Sequence, residues 1–324
     1  AGVVLGSGPG VHRLEDVALG LVDEEGFDAA AYARGEVHGE SLVRSRAEAP
    51  ACVVAARHEI GGPVHAVTTA CSASNQALGL AYRLVRDGEC DWAVAGGADS
   101  MINPVGLVFF VLLGANAKVD PKDPAAACKP FDRKRTGLVM GEGAGCVVME
   151  SLEHATAREA VIHAEVVGHG SSLDAYRTTA PPPDGRGAAE AMRAALAERR
   201  VDPAAVDFVN AHGTGTKRND PAEVAAIESV FGAHAKRLSV SSGKAAMGHL
   251  LSGAAGVAFV LSVMAVKHGA VPPTLNLDRP DPSMALDFVP GVGRARDVRA
   301  ALTNSFAFGG QNAVTAVMRW EEDA

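Results

Sequence analysis

Three side chains in this sequence could combine into a nucleophilic site. Cys71 lies in Thr68-Thr69-Ala70-Cys71-Ser72-Ala73-Ser74, where a β-branched stretch meets a helical pattern through Ala77, Leu80, Ala81, Leu84 and Val85. A thiol at a helix N-terminus feels the positive end of the macrodipole, which favours the thiolate. Its small neighbours leave room for an incoming thioester. A lone cysteine is as often a small buried hydrophobe, so its partners must decide.

Two histidines follow in glycine-rich stretches: Asn210-Ala211-His212-Gly213-Thr214-Gly215-Thr216 and Ser242-Gly243-Lys244-Ala245-Ala246-Met247-Gly248-His249. Singly, such histidines are commonly structural hydrogen-bonders, and Thr214 and Thr216 can be plain turn residues. As a set they can do more. Two imidazoles can donate to one developing oxyanion, and a nearby lysine adds positive charge at low dielectric. Near the C-terminus, Asn304-Ser305-Phe306-Ala307-Phe308-Gly309-Gly310-Gln311-Asn312 sets a glycine pair after an aromatic residue. Glycines let backbone amides approach a ligand, and a hairpin turn between strand-like Ala301 to Thr303 and Ala313 to Met318 is compatible with that.

The elements that must position these residues alternate. Strand-like stretches are Ala51 to Ala55, His65 to Thr69, Trp92 to Ala95, Asp207 to Asn210 and Leu238 to Ser241. Helical patterns cover Ser74 to Arg86, Gly187 to Arg199, Pro221 to Phe231 and Gly253 to Lys267. The alternation predicts layered α/β architecture. Asp220-Pro221 with Glu223 reads as a helix start with Asp220 as the cap, which places the His212 loop between a strand end and a helix.

With 324 residues, 48% of them hydrophobic, the chain can bury a large core. Apolar runs such as Gly106 to Ala115 fall short of the roughly 20 residues of a membrane helix, and a cytoplasmic protein is expected. Five widely spaced cysteines show no zinc or disulfide pattern. A net charge of -8 argues against nucleic acid as a partner, although Arg133-Lys134-Arg135 and Lys217-Arg218 form small basic clusters.

Taken in order, with Val94-Ala95-Gly96-Gly97-Ala98-Asp99, Lys129-Pro130-Phe131-Asp132 and Gly141-Glu142-Gly143-Ala144-Gly145 added, these motifs resemble the elongating β-ketoacyl-ACP synthases and polyketide ketosynthases of the thiolase-like superfamily. The match runs from about Gly2 to Val317. It implies an α/β, thiolase-like, five-layered α-β-α-β-α fold built from two similar halves, residues 1–159 with the nucleophile and 160–324 with the histidine pair, lysine and glycine-rich loop. It also implies decarboxylative condensation of an acyl thioester with a malonyl-type extender. Cys71 would be the nucleophile, His212 and His249 the assisting pair and Lys244 the site lysine. The Cys71 and Phe308 amides would form the oxyanion hole. Thr214, Thr216 and Thr179 would line the path of the pantetheine arm, Phe308 and Gly309 would join them in binding substrate, and Phe110 would lie at the acyl pocket. The implied partners are an acyl carrier protein and a second ketosynthase-like chain, as homodimer or heterodimer, with Trp92 to Ala98 near that interface. No metal or other cofactor is implied, and no membrane.

The sequence also departs from the family pattern. Ala1-Gly2-Val3-Val4-Leu5-Gly6-Ser7-Gly8 resembles family sequence well inside the first half, so about ninety residues of the pattern do not precede it. Residues 19–50 lack the family's aromatic-proline segment, Val108 and Leu107 replace glycines beside Phe110, and Gln311 stands where threonine is commoner. Ala258 falls where the family keeps the glutamate that partners the lysine, so Lys244 should find another partner. Thiolases add a second catalytic cysteine, and initiating synthases use Cys-His-Asn rather than this Cys-His-His set. A non-catalytic chain-length-factor-like subunit would lack the nucleophile that Cys71 supplies.

Overall fold

The computed structural model describes residues 1–8, 10, 21–22, 26–27, 30, 43 and 45–321. Most of the departing stretch 19–50 therefore lies outside the described residues. Two mixed sheets organise the rest. The first joins β1 (Gly2–Ser7), β2 (Val64–Val67), β3 (Trp92–Asp99) and β4 (Gly143–Glu150) in the order β2-β1-β3-β4. The second joins β5 (Glu165–Leu173), β6 (Phe208–Asn210), β7 (Ser239–Ser241), β8 (Ala300–Phe306) and β9 (Gln311–Met318) in the order β5-β9-β8-β6-β7. The sheets repeat one plan: β1 is parallel to β2 and β3, and β4 returns antiparallel, as β6 is parallel to β7 and β8 and β9 returns antiparallel.

Helices complete five layers. The helices α2 (Ala73–Arg86) and α8 (Ala254–His268) lie between the sheets and touch both. Their small faces, with Ala77, Ala81 and Gly79 on one and Ala254, Ala258 and Ser262 on the other, permit that close stacking. The stretch Leu251–His268 is apolar enough by composition to cross a membrane, yet 67% of it is buried inside the protein as this central helix. Beyond the second sheet lie α5 (Arg186–Ala197) and α6 (Asn219–Phe231), whose alanine-rich faces cover it. Beyond the first lies α1 (Ala49–Arg57), which packs on β1 and β2. Shorter helices are α3 (Pro104–Leu112), α4 (Leu152–Ala157) and α7 (Lys244–Met247).

Two expectations change. Ala51 to Ala55 is helix, not strand: Pro50 suits its first turn, alanine favours helix, and only Ala51 and Ala55, one turn apart, are buried while Val53 faces solvent. Asp220 does not cap α6; it lies inside the helix and turns back to accept from the Phe131 and Gly215 amides. Trp92 to Ala98 lies in an inner strand, with β1 on one side and β4 on the other.

Candidate active site

Cys71 is the middle residue of a 3-10 turn, Ala70–Ser72, that feeds α2. Ala70 takes a left-handed φ of 48°, and the turn is held from the second sheet, where the Ser305 hydroxyl donates to the Cys71 carbonyl at 2.7 Å. The thiol is only 7% exposed and packs with Phe110, Leu138, Met140 and Leu251. Burial pushes it up to about 11; the Lys244 charge and the backbone amides of Cys71 and Phe308 pull the other way. The helix end expected to favour thiolate is present, but the apolar surroundings outweigh it.

The histidines arrive from the other sheet. His212 follows β6 and His249 follows α7, and their rings meet edge to face with centroids 5.2 Å apart. Both are buried, and burial holds both well below the ordinary imidazole range, with the Lys244 charge adding to this; they are neutral. The Leu251 amide donates to His249 Nδ1 at 3.1 Å, which leaves the proton on Nε2, a buried atom with no hydrogen-bond partner among the described residues. Leu251 itself packs in the Cys71 cluster, so the turn that orients His249 also walls the nucleophile.

Lys244 bonds to backbone rather than to a carboxylate, beside a glutamate read only as part of a helix start. Its Nζ donates to the His212 carbonyl at 2.6 Å. Glu223, fully buried on α6, accepts from the amides of His212 and Gly213, each at 2.8 Å, and from Asn304 Nδ2 at 3.1 Å. Burial lowers the Lys244 ammonium and raises the Glu223 carboxyl, and the glutamate's charge counters the loss at the lysine. The main chain of His212 is thus held at both ends. Ala258 offers only its carbonyl, which accepts from Asn210 Nδ2 at 2.7 Å. The signal that could have exposed Glu223 is a carboxylate one turn into a helix that follows a glycine-rich loop.

Of the remaining residues, Phe110 turns inward on α3 and lies 6.5 Å from the Phe308 ring, stacked at 28°, whereas Phe109 faces solvent. Thr214 and Thr216 share a hydroxyl contact at 3.0 Å. Thr179 is exposed; it is the neighbouring Thr178 carbonyl that accepts from Gly309, at 2.7 Å. Gly309 and Gly310 have φ of 85° and 81° and close the β8–β9 hairpin. Asp174 secures it from outside, accepting from Asn312 Nδ2 at 2.8 Å while its amide donates to the Gly310 carbonyl. Nothing in the structure explains glutamine at 311. Among the described residues no cluster of His, Cys, Asp and Glu could hold a metal ion.

Residues 1–155 match the family model described as beta-ketoacyl synthase, N-terminal domain, and residues 163–278 match beta-ketoacyl synthase, C-terminal domain. The chain belongs to the β-ketoacyl synthase family. Its β-ketoacyl synthase relatives include a 3-oxoacyl-[acyl-carrier-protein] synthase 2 of Rhizobium meliloti (strain 1021), 46% identical over 82% of this chain and 63% of that protein. Nodulation protein E of Rhizobium meliloti is 44% identical over 85% of this chain and 66% of that protein. The chain therefore spans a little under two thirds of the length of these curated relatives. Among solved structures, a ketosynthase of a type II PKS, bound to the hexaketide and in complex with its acyl-carrier protein, superposes with a TM-score of 0.90 at 29% identity, covering 98% of this chain and 78% of that one. The ishigamide ketosynthase/chain length factor gives 0.83 at 36% identity, covering 98% and 75%. Both share the thiolase-like ketosynthase fold with this chain.

Proposed function

We propose that this chain performs decarboxylative condensation: an acyl group carried on Cys71 is joined to a malonyl-type thioester, as in fatty acid or polyketide assembly. The observation that carries the reading is that both sides of the site meet at Lys244 and Leu251: the Lys244 charge acts on Cys71 and on both neutral imidazoles, which meet edge to face, and the Leu251 whose amide orients His249 packs with Cys71. Residues 1–159 supply the nucleophile and 160–324 the imidazoles.

In the first half-reaction the Cys71 thiol gives its proton to a neutral imidazole as sulfur attacks the acyl carbonyl. The two amides hold the oxyanion, a contribution of about 3 kcal/mol per well-placed donor. The tetrahedral intermediate then expels the carrier thiolate, which takes that proton. In the second, the malonyl thioester lies along Thr214 and Thr216 with its carbonyl oxygen on the imidazole N–H groups. The carboxylate leaves as carbon dioxide, its bonding pair becomes the enolate, and the enolate carbon attacks the acyl-cysteine. Cys71 departs as thiolate and is reprotonated. No metal or redox group enters this scheme.

Mass spectrometry of the intact protein after incubation with a panel of acyl carrier proteins tests it. Wild type should gain one acyl mass, and Cys71→Ala should gain none while keeping its fold. Acylation of Cys52 or Cys146, the exposed thiols, in place of Cys71 would defeat the assignment.

Two partners follow from the same reading. An acidic acyl carrier protein would dock on exposed Arg133, Lys134, Lys217 and Arg218 near Thr216. Arg135 is excluded from that role, since it is buried and bound to Asp281 at 2.7 Å. A cleft of about 300 Å³ lined by Lys118, Lys129, Lys134 and Arg279 together with four aspartates adjoins this surface. Reversing the charge of Arg133 and Lys134 should raise the KM for carrier-bound substrate about five- to tenfold and leave kcat in place; an unchanged KM would remove this docking surface. A second ketosynthase-like chain, identical or related, would cover α3, where Val108, Phe109, Val111 and Leu112 face solvent, and the open edge of β2.

A further inference from the structure

The turn that orients His249 is held from outside the catalytic set. Leu251 has a φ of 47°, a costly backbone state for a branched residue that persists only where surrounding bonds fix it. Four bonds do so. Leu251 N donates to His249 Nδ1 at 3.1 Å, Ser252 N to Asp99 Oδ2 at 2.9 Å, Gly253 N to the Leu250 carbonyl at 2.9 Å, and the Ser74 hydroxyl to the Ser252 carbonyl. The left-handed residue sends the two adjacent amides to different acceptors, one to the imidazole and the other to the carboxylate. Asp99 ends β3, and its second oxygen is fixed by the Ser100 amide, also at 2.9 Å. Gly8 closes the far side: a Cβ there would lie 2.8 Å from Asp99 Oδ2 and 3.3 Å from Ser252 Oγ.

We infer that Asp99 is a positioning residue of the site, whose carboxylate locks the Leu251–Gly253 turn so that the Leu251 amide keeps His249 in its Nε2–H form. The internal repeat supports this. The turn before α2 also starts on a left-handed residue, Ala70 at 48°, and is held by Ser305 near the end of β8, just as the turn before α8 is held by Asp99 at the end of β3. Each half braces the turn of the other. Asp99 also stands near enough to Cys71 for its negative charge to oppose ionisation of the thiol.

The inference rests on the proposed condensing role only for its kinetic arm. In full-length chain labelled with 15N-histidine, Asp99→Asn should shift the His249 ring nitrogens from one tautomer to a mixture. It should lower kcat for decarboxylation of a malonyl carrier protein roughly ten- to a hundredfold, with KM little changed. Iodoacetamide should meanwhile alkylate Cys71 faster at a fixed pH, because a negative charge has gone, while the buried Cys90 and Cys128 stay protected; a damaged fold would expose all three thiols together. Gly8→Ala gives an independent arm. It displaces the carboxylate and keeps its charge, so the His249 spectrum should change in the same way while alkylation holds. A His249 spectrum identical to wild type in either folded variant overturns the inference. A changed spectrum with intact decarboxylation would instead leave Asp99 as a positioning residue and overturn the condensing role of His249.

Discussion

Cys71 meets opposed demands: enough burial to exclude water from an acyl intermediate, and enough positive field to act as a nucleophile. Burial prevails at rest, so the group is a thiol near neutral pH and needs a proton acceptor at the moment of attack. The rate of iodoacetamide alkylation at Cys71 should accordingly rise steadily with pH toward a midpoint near 11, and a plateau by pH 8 would refute this. Lys244→Met removes the charge that most favours the thiolate and should move the midpoint higher still. At this scale the sequence was readable where residue type alone announces chemistry, in Cys71, His212, His249 and Lys244. It was silent on Glu223 and Asp99, whose importance comes from backbone amides that reach them only after the chain folds. It named Phe110 rather than Phe109 only through the family resemblance, because helix rotation against the cysteine cluster makes that choice.

Elements with strong periodicity or strong punctuation were legible, and the β8–β9 hairpin is the clearest. Its glycine pair marked the turn, but why each glycine is needed differs. Gly309 has open space around its Cα, so alanine there meets only left-handed strain, about 1 to 2 kcal/mol. At Gly310 an added Cβ would also press on Asp174 Cβ at 2.9 Å. Gly310→Ala should therefore destabilise more than Gly309→Ala in urea titrations, and should cost more acyl loading, because the strain falls on the loop that carries the Phe308 amide. Equal effects would show that Asp174 does not anchor the hairpin. The missed elements have a common cause. The α1 segment, with Val53-Val54, reads as strand until its buried alanines are seen one turn apart, and α3 is so uniformly apolar that no period emerges.

At the scale of the whole molecule, three neutral imidazoles lie deep in the structure among the described residues. His169 packs against α2 at Gly79 and contacts the Thr315 hydroxyl at 3.2 Å, and burial pushes it down to about 3. His212 and His249 are lowered as well. Unfolding returns each to its ordinary value near 6.5, so the unfolded chain binds the extra protons. The stabilisation is complete above about pH 6.5 and falls by up to about 1.4 kcal/mol per pH unit for each imidazole below it. Glu150 and Asp281, both lowered to about 2 by arginine hydrogen bonds, lose their contribution only below about pH 4. Urea midpoints should hence begin to drop near pH 6.5; a level profile down to pH 5 would contradict the buried neutral histidines. The layered class was visible in the alternation of patterns. The repeat of strand order was not, since it depends on which edges pair.

Because Ser305 steadies the cysteine's turn while Asp99 steadies the histidine's, the catalytic ensemble behaves like a truss with crossed ties. Slackening either half releases the reactive corner belonging to its counterpart, so no partially opened form retains half a machine. Activity is then lost at the first cooperative loosening, well before the chain as a whole gives way.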